Sequence, residues 1–344
     1  MLPELEGLQG KKSPPSHREN RGLTEPKHKE RERVTPDRID SQTSFVDIQH
    51  LGVPSAIGTG VLEFSDGIAL IDPGPTTCLA ALERGLSDLG FVLSDVRTVL
   101  LTHIHLDHAT AAGTIVSRVP EARVYVHPRG ATHMIDPTRL LASAGRIYGD
   151  QMETLWGEFL PVPAKVVVEV DEGDVVQLGE RTLKVAYTPG HAKHHVAYYE
   201  RATGTAWVGD VGGIRIREGL PIPVTPPPDI DVEVWNQSMD RVLAWEPKRI
   251  VPTHFGPSDD PNSHFADLRR GLAIWSDKVR SSLDNDLAEP DNTVDQARAR
   301  EFGAWAVADL RERLPSKAVD TYVTAFGADD SWWGLARYWR KKTG

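Results

Sequence analysis

Short apolar runs alternate with amphipathic stretches over the first three quarters of the chain, and a purely helical pattern takes over near residue 259. Residues 46–53, 60–64 and 68–71 read as strands, the last two joined by the turn pair Asp66-Gly67. Leu79, Leu82, Leu86 and Leu89 recur three and four apart, which predicts a helix over 77–89. The β-branched run at 96–101 predicts a buried strand, followed by a helix at 109–119 and a strand at 122–126. An inserted helical stretch covers about 130–158, with Asp136-Pro137 as a helix start. Strands return over 166–208, punctuated by turns at Asp171-Glu172-Gly173-Asp174 and Ala202-Thr203-Gly204. A rigid Pro-rich loop at 221–228 leads to a helix at 231–245 and a last strand at 249–251. Two strand-rich halves, each with its own helices, suit an α+β chain built as sheet on sheet with helices outside.

The ends differ from this centre. Residues 11–38 are dense in Lys, Arg, Glu and Pro and nearly free of aromatics, so residues 1–42 are expected to be a disordered charged tail. From 259 to 344 the chain reads as helical, with Phe265, Leu268, Leu272, Trp275, Val279 and Leu283 on one stripe and further helices expected at 293–314 and 318–341. Trp275, Trp305, Trp332, Trp333 and Trp339 all fall there, either to pack onto the core or to form a homodimer face or a wall of the substrate pocket; packing is the reading preferred.

Composition narrows the class. The 344 residues are 40% hydrophobic and 26% charged, as in an ordinary globular protein. A formal net charge of -10 disfavours nucleic acid as a partner, and no apolar run suits a membrane span or a signal peptide. The single cysteine, Cys78, permits no internal disulfide, which fits a cytoplasmic location.

The thirteen histidines are unevenly spread, and the densest group is Thr102-His103-Ile104-His105-Leu106-Asp107-His108. If the strand before it continues, His103 and His105 point to one side, and a following turn lets Asp107 and His108 address a neighbouring position. Imidazole and carboxylate suit zinc, iron or manganese, and two ions about 3.5 Å apart share a bridging hydroxide that is nucleophilic at neutral pH. His191 in Thr188-Pro189-Gly190-His191, Asp210 in Gly209-Asp210 and His254 in Thr253-His254 each follow an apolar strand, where a rigid element positions a loop residue.

With Leu70-Ile71-Asp72-Pro73-Gly74 these motifs make residues 45–256 resemble the metallo-β-lactamase superfamily, and within it the dinuclear branch that includes glyoxalase II-like thioesterases. The resemblance implies an αββα sandwich of two mixed sheets flanked by helices, over 43–258, with a C-terminal helical extension. It implies that His103, His105 and His191 hold one divalent ion, most readily Zn²⁺, that Asp107, His108 and His254 hold a second, and that Asp210 bridges. Asp107 and Asp210 are then the catalytic carboxylates, while Asp72 and His195 support the ligands from outside; His194 has no counterpart and is expected at the surface. The acid at 210 argues against β-lactam hydrolysis, and His105 against the flavodiiron branch.

The expected activity is therefore hydrolysis of an ester, thioester or lactone of a small molecule. The rivals are a phosphodiesterase or ribonuclease on the same ions, a mononuclear iron persulfide dioxygenase, and a metal-holding sensor. Arg215 and Arg217 are candidates for clamping an anionic group, and His127, His133 and Tyr148 for lining a lid, against the plainer readings of solvated arginines and a packed helical insertion.

Overall fold

The computed structural model describes residues 36–217, 219–283, 292–325 and 327–343. Its first sheet has seven strands in sequence order: β1 (Asp37–Asp40), β2 (Thr43–Asp47), β3 (Gly58–Phe64), β4 (Gly67–Ile71), β5 (Val96–Leu100), β6 (Arg123–Val126) and β7 (Val167–Glu169). The first four pair antiparallel and β4 to β7 pair parallel. The second sheet has the order β12-β11-β10-β9-β8, formed by β8 (Val175–Leu178), β9 (Arg181–Tyr187), β10 (Val196–Glu200), β11 (Thr205–Trp207) and β12 (Arg249–Val251). Only its β11–β12 pair is parallel, so both sheets are mixed.

Strand alternation creates the layers. In β4, Ala69 and Ile71 face the second sheet, packing with Val185, Tyr198 and Trp207, while Ile68 and Leu70 join Leu82 and Leu86 on the outer side. The helices on that outer side are α1 (Leu79–Asp88) and α2 (Leu106–Arg118). The sheets approach so closely at Gly60 that a Cβ there would stand 2.4 Å from the Trp207 ring. The insertion forms three short helices, α3 (Pro128–Ile135), α4 (Thr138–Tyr148) and α5 (Met152–Leu155). The other face is covered by α6 (Val232–Leu243), α7 (Pro261–Ser282), α8 (Asn292–Arg313), α9 (Ser316–Ala325) and α10 (Ala328–Thr343).

Residues 34–344 form one unit, so the C-terminal helices are a layer of the same body. Trp275 and Trp332 are buried in the hydrophobic core that continues from the second sheet into these helices, and Trp305, Trp333 and Trp339 pack against it. No helix among the described residues is long and apolar enough to cross a membrane.

Several expectations are corrected. Residues 36–42 belong to the sheet rather than to a tail, because the charges of β1 find partners: Arg38 pairs with Glu63 at 2.6 Å, and Arg249 donates to Ile39 O. The remainder of the expected tail lies outside the described residues. The strand expected over 46–53 stops at Asp47, whose carboxylate accepts from the backbone of Gln49 and Ser55 and folds the chain into a 3-10 turn, His50–Gly52. The helix expected over 318–341 is two helices, α9 and α10, which part around Gly327.

Candidate metal centre

Strand β5 ends at Leu100, so His103 and His105 are carried by an extended loop and not by a continuing strand. His105 is the N-cap residue of α2, which puts Asp107 and His108 in that helix's first turn. The other candidates arrive from the second sheet's side: His191 after β9, Asp210 in a 3-10 turn Gly209–Gly212 after β11, and His254 after β12. Gly190 permits the approach of the His191 loop, since it has φ +125° and any Cβ would stand 2.3 Å from the Trp235 backbone.

These seven side chains converge in two groups, His103, His105, His191 and Asp210 in one, and Asp107, His108 and His254 in the other. Asp210 faces both. Its Oδ2 lies 3.4 Å from His191 Nε2 and 3.9 Å from His103 Nε2, and its Oδ1 lies 3.2 Å from His108 Nε2 and 3.5 Å from His254 Nε2. Asp107 Oδ2 lies 3.1 Å from His254 Nε2 and 3.5 Å from His108 Nε2. His105 turns its Nδ1 inward, 2.9 Å from His191 Nε2.

The outward nitrogens decide which ring atoms carry protons. His191 Nδ1 donates to Val224 O, His254 Nδ1 to Ala56 O, and His108 Nδ1 to Asp72 Oδ2, at 3.0, 2.8 and 2.9 Å. Thr102 gives its hydroxyl proton to Asp72, so its oxygen accepts from His103 Nδ1 at 3.1 Å. Each of these four rings, when neutral, therefore aims a lone pair inward, and without a cation the neighbouring carboxylates favour a second proton on His108 instead. Lone pairs facing one another without a donor are unfavourable unless a cation fills the space between them. His103 Nε2 and Asp210 Oδ1 are buried with no hydrogen-bond partner among the described residues. The donor set and its orphaned atoms fit two divalent ions.

Charge follows the same division. Burial, then the neighbouring imidazoles, holds His103 well below the usual histidine range, and burial with His191 brings His105 down to about 4. At His108 burial acts the same way, but Asp107, Asp210 and Asp72 prevail and push it well up. Asp107 and Asp210 are held far down, despite burial, chiefly by His108 and His254.

Asp72 is buried at the hub beneath the ligands. It accepts from Thr102 N, Thr102 Oγ1, Thr253 Oγ1 and His108 Nδ1 within 2.7–2.9 Å, and it holds a left-handed φ of 49°. His195 donates or accepts at Thr188 Oγ1 (2.8 Å) and stacks on His103 with ring centroids 5.1 Å apart. His194, expected at the surface, is half-buried against the site. Its ring lies parallel to His103 at 6.1 Å and edge-on to His105 at 5.6 Å, and its Nδ1 accepts from Ile104 N.

The other candidates are dispersed. Arg217 is exposed and held by Ser55 Oγ, Asp37 and the Phe255 ring, and Arg215 donates to Pro257 O, so both guanidinium groups are engaged elsewhere. His127 caps α3 through Arg129 N and stacks on Tyr187. His133 is half-buried on α3 and lies outside both ligand groups. Tyr148 is brought near: the Asp107 charge, after burial, helps push its phenol pKa up. Residues overlooked in the sequence are Thr102 and Thr253, each placed directly before a ligand histidine, and His50, which feels Asp107 and His254 across the site.

Comparison with known proteins agrees with this geometry. Metallo-beta-lactamase fold-containing protein ST1585 of Sulfurisphaera tokodaii is 28% identical over 180 residues, 52% of this chain and 67% of that protein. A hydroxyacylglutathione hydrolase of Maricaulis maris is 33% identical over 176 residues, 47% of this chain and 53% of that enzyme, so the match spans about half of the relative's length. Among solved structures, metallo-beta-lactamase family protein TTHA1429 from Thermus thermophilus superposes with a TM-score of 0.62 at 21% identity, covering 83% of this chain and 89% of that one. The sequence profile of the metallo-beta-lactamase superfamily matches residues 57–254, more than half of the chain and every ligand candidate from His103 to His254. The chain therefore belongs to the metallo-beta-lactamase superfamily.

Proposed function

We propose that the protein hydrolyses an ester, thioester or lactone at a dinuclear site, with His103, His105 and His191 holding one ion, Asp107, His108 and His254 the other, and Asp210 bridging. One observation carries the reading: the two oxygens of Asp210 are divided between the two groups, His103 and His191 on one side, His108 and His254 on the other. A site for a single ion has no use for that division. Bound together, two divalent ions, most readily Zn²⁺ with Fe or Mn as alternatives, make water nucleophilic at neutral pH and polarise a carbonyl oxygen.

The chain's own residues do the rest. Asp72, Thr102, Val224 O and Ala56 O orient the imidazoles. Asp107 and His105 are the members of the two groups that solvent reaches, Asp107 with 24% of its side chain exposed against 4% for Asp210, which favours substrate entry on the side they share, with the Asp107 carboxylate there to orient the attacking water. The named hydroxyacylglutathione hydrolase relative favours a thioester.

Metal quantification on the purified protein, followed by ester, thioester, lactone and bis(p-nitrophenyl) phosphate screens on the same sample, tests this. Two divalent ions per chain with turnover of an acyl substrate is the expected result. One iron per chain with oxygen uptake, or turnover of the phosphodiester alone, overturns it.

A further inference from the structure

We propose that the acyl group of the substrate is uncharged and either aromatic or bulky and aliphatic, and that it rests on a wall made by His50, Tyr148 and Trp156 beside Asp107. This rests on the hydrolase reading and adds the substrate class to it. The three side chains come from separate parts of the chain, the 3-10 turn His50–Gly52, the end of α4, and the residue that closes α5. The His50 and Trp156 rings stack with centroids 5.4 Å apart and planes 5° apart, and Tyr148 meets Trp156 edge-on at 5.3 Å. Such a corner offers both a face and an edge to an apolar group.

Its position is tied to the site. Thr76 Oγ1 donates to Glu158 O and Thr77 Oγ1 to Leu155 O, which clamps the Trp156 segment to the turn after Gly74. Gly74 in turn donates to His108 O and accepts from Ala111 N, so that turn is fastened to the ligand helix α2. A Cβ on Gly74 would stand 2.2 Å from Ile48 Cδ1 and 3.8 Å from Asp107 O, and one on Gly157 3.2 Å from Thr77, so the segments that carry His50 and Trp156 meet this turn against the first turn of α2, where Asp107 sits.

The three side chains carry no fixed charge and present mainly ring carbons. Cys78 lies behind His50, Sγ to Nδ1 3.6 Å, with burial raising the thiol to about 11, so no thiolate forms there. Arg215 and Arg217, which could have received an anionic acyl group, are engaged elsewhere.

The test compares two carboxylates that differ only in the acyl group. Isothermal titration of the metal-replete full chain is expected to show phenylacetate binding at least tenfold tighter than acetate, with kcat/KM for a phenylacetyl thioester exceeding that for the acetyl thioester of the same thiol by a similar factor. In Tyr148→Ala and Trp156→Ala the preference falls to threefold or less, while Trp156→Phe, which keeps a ring and guards against loss of folding, retains most of it; metal content is measured on every sample. Equal affinity for the two carboxylates, or a preference that survives both alanine variants, overturns the wall. Selective phenylacetate binding without turnover of any ester, thioester or lactone keeps the wall and overturns the hydrolase reading. Turnover without acyl preference does the reverse.

Discussion

Replacing Asp72 with Asn exchanges one carboxylate oxygen for an NH₂ and, on the dinuclear reading proposed above, should weaken the ion at Asp107, His108 and His254. In the native structure Asp72 Oδ2 accepts three hydrogen bonds, from Thr102 Oγ1, Thr253 Oγ1 and His108 Nδ1, while Oδ1 accepts from Thr102 N. An amide NH₂ in place of Oδ2 meets three donors with a donor. His108 can restore its bond only by moving its proton to Nε2, the atom that faces Asp210 at 3.2 Å and has to be free to bind metal. Turning the amide over sets the NH₂ against Thr102 N instead, on the loop that carries His103. Backbone strain is not the cause, because Asn tolerates the left-handed φ of 49° found at this position. Loss of an outer partner of a metal-ligating histidine typically costs 10–100-fold in metal affinity, about 1.4–2.8 kcal/mol. The loss should fall on the ion held by Asp107, His108 and His254, with the first ion's affinity within about threefold of wild type. Thr253→Val is the control: it removes one donor and leaves the His108 bond intact, so metal affinity should stay within about threefold. Chelator competition with bound metal read by mass spectrometry separates the two ions. Equal losses at both ions, or equal effects of Asp72→Asn and Thr253→Val, would refute the tautomer argument.

Three further outcomes follow from the same structure. Asp210→Ala, which takes away the carboxylate shared by both groups, should retain at most one tightly held ion and lose activity by at least about 10³-fold, a loss in line with removing a catalytic ion's anchor; metal content and turnover measured together check it. Gly190→Ala should weaken the ion held by His191, because the new Cβ stands 2.3 Å from the Trp235 backbone and the loop has to move; metal titration of the first site reads this, and wild-type affinity would count against it. His264, buried beneath the Asp210 turn, donates Nε2–H to Gly212 O at 2.7 Å, and burial lowers its pKa to about 4 against 6.5 in the unfolded chain. Below pH 6.5 the unfolded state takes up a proton that the folded state refuses, so stability falls on acidification until about pH 4, by roughly 1.4 kcal/mol per pH unit at most. His264→Gln should flatten that limb of the stability curve relative to wild type, as chemical denaturation at pH 7, 6, 5 and 4.5 would show; parallel curves would contradict the assignment.

Much of the ligand set is legible in the chain because its chemistry is local. The run from His103 to His108 crowds four candidate ligands into six positions, and Asp72, His191, Asp210 and His254 each stand beside a turn-forming Gly or Pro or a Thr at the end of an apolar run. The sheets are legible for the same reason: Ile68, Ala69, Leu70 and Ile71 alternate between two cores, and such alternation leaves its mark in sequence. Less visible is how the ligands are carried. His103 and His105 read as residues of a continuing strand, but β5 ends at Leu100 and the chain turns off into a loop and α2.

The residues that shape the substrate's surroundings are the ones that pattern alone misplaces. Arg215 and Arg217 sit beside Gly212 and Gly213 as if to clamp an anion, yet Asp37 and Ser55, 180 and 162 residues away in the chain, join the Phe255 ring in holding Arg217 outside. His194 has no motif to mark it and still lies against His103, because the loop is anchored at His191 and His195 on either side. What the sequence determines by itself is the kind of atoms available and their local spacing, and that is enough to pick out candidate metal ligands, which come from a few side-chain types. What only the tertiary structure decides is which distant groups share a space: that Asp210 divides its oxygens between two sets of imidazoles, that Asp72 serves both halves of the sandwich, and that His50, Tyr148 and Trp156 meet beside Asp107. Those relations depend on sheet packing and on hydrogen bonds between residues far apart in the chain, and no local pattern encodes them.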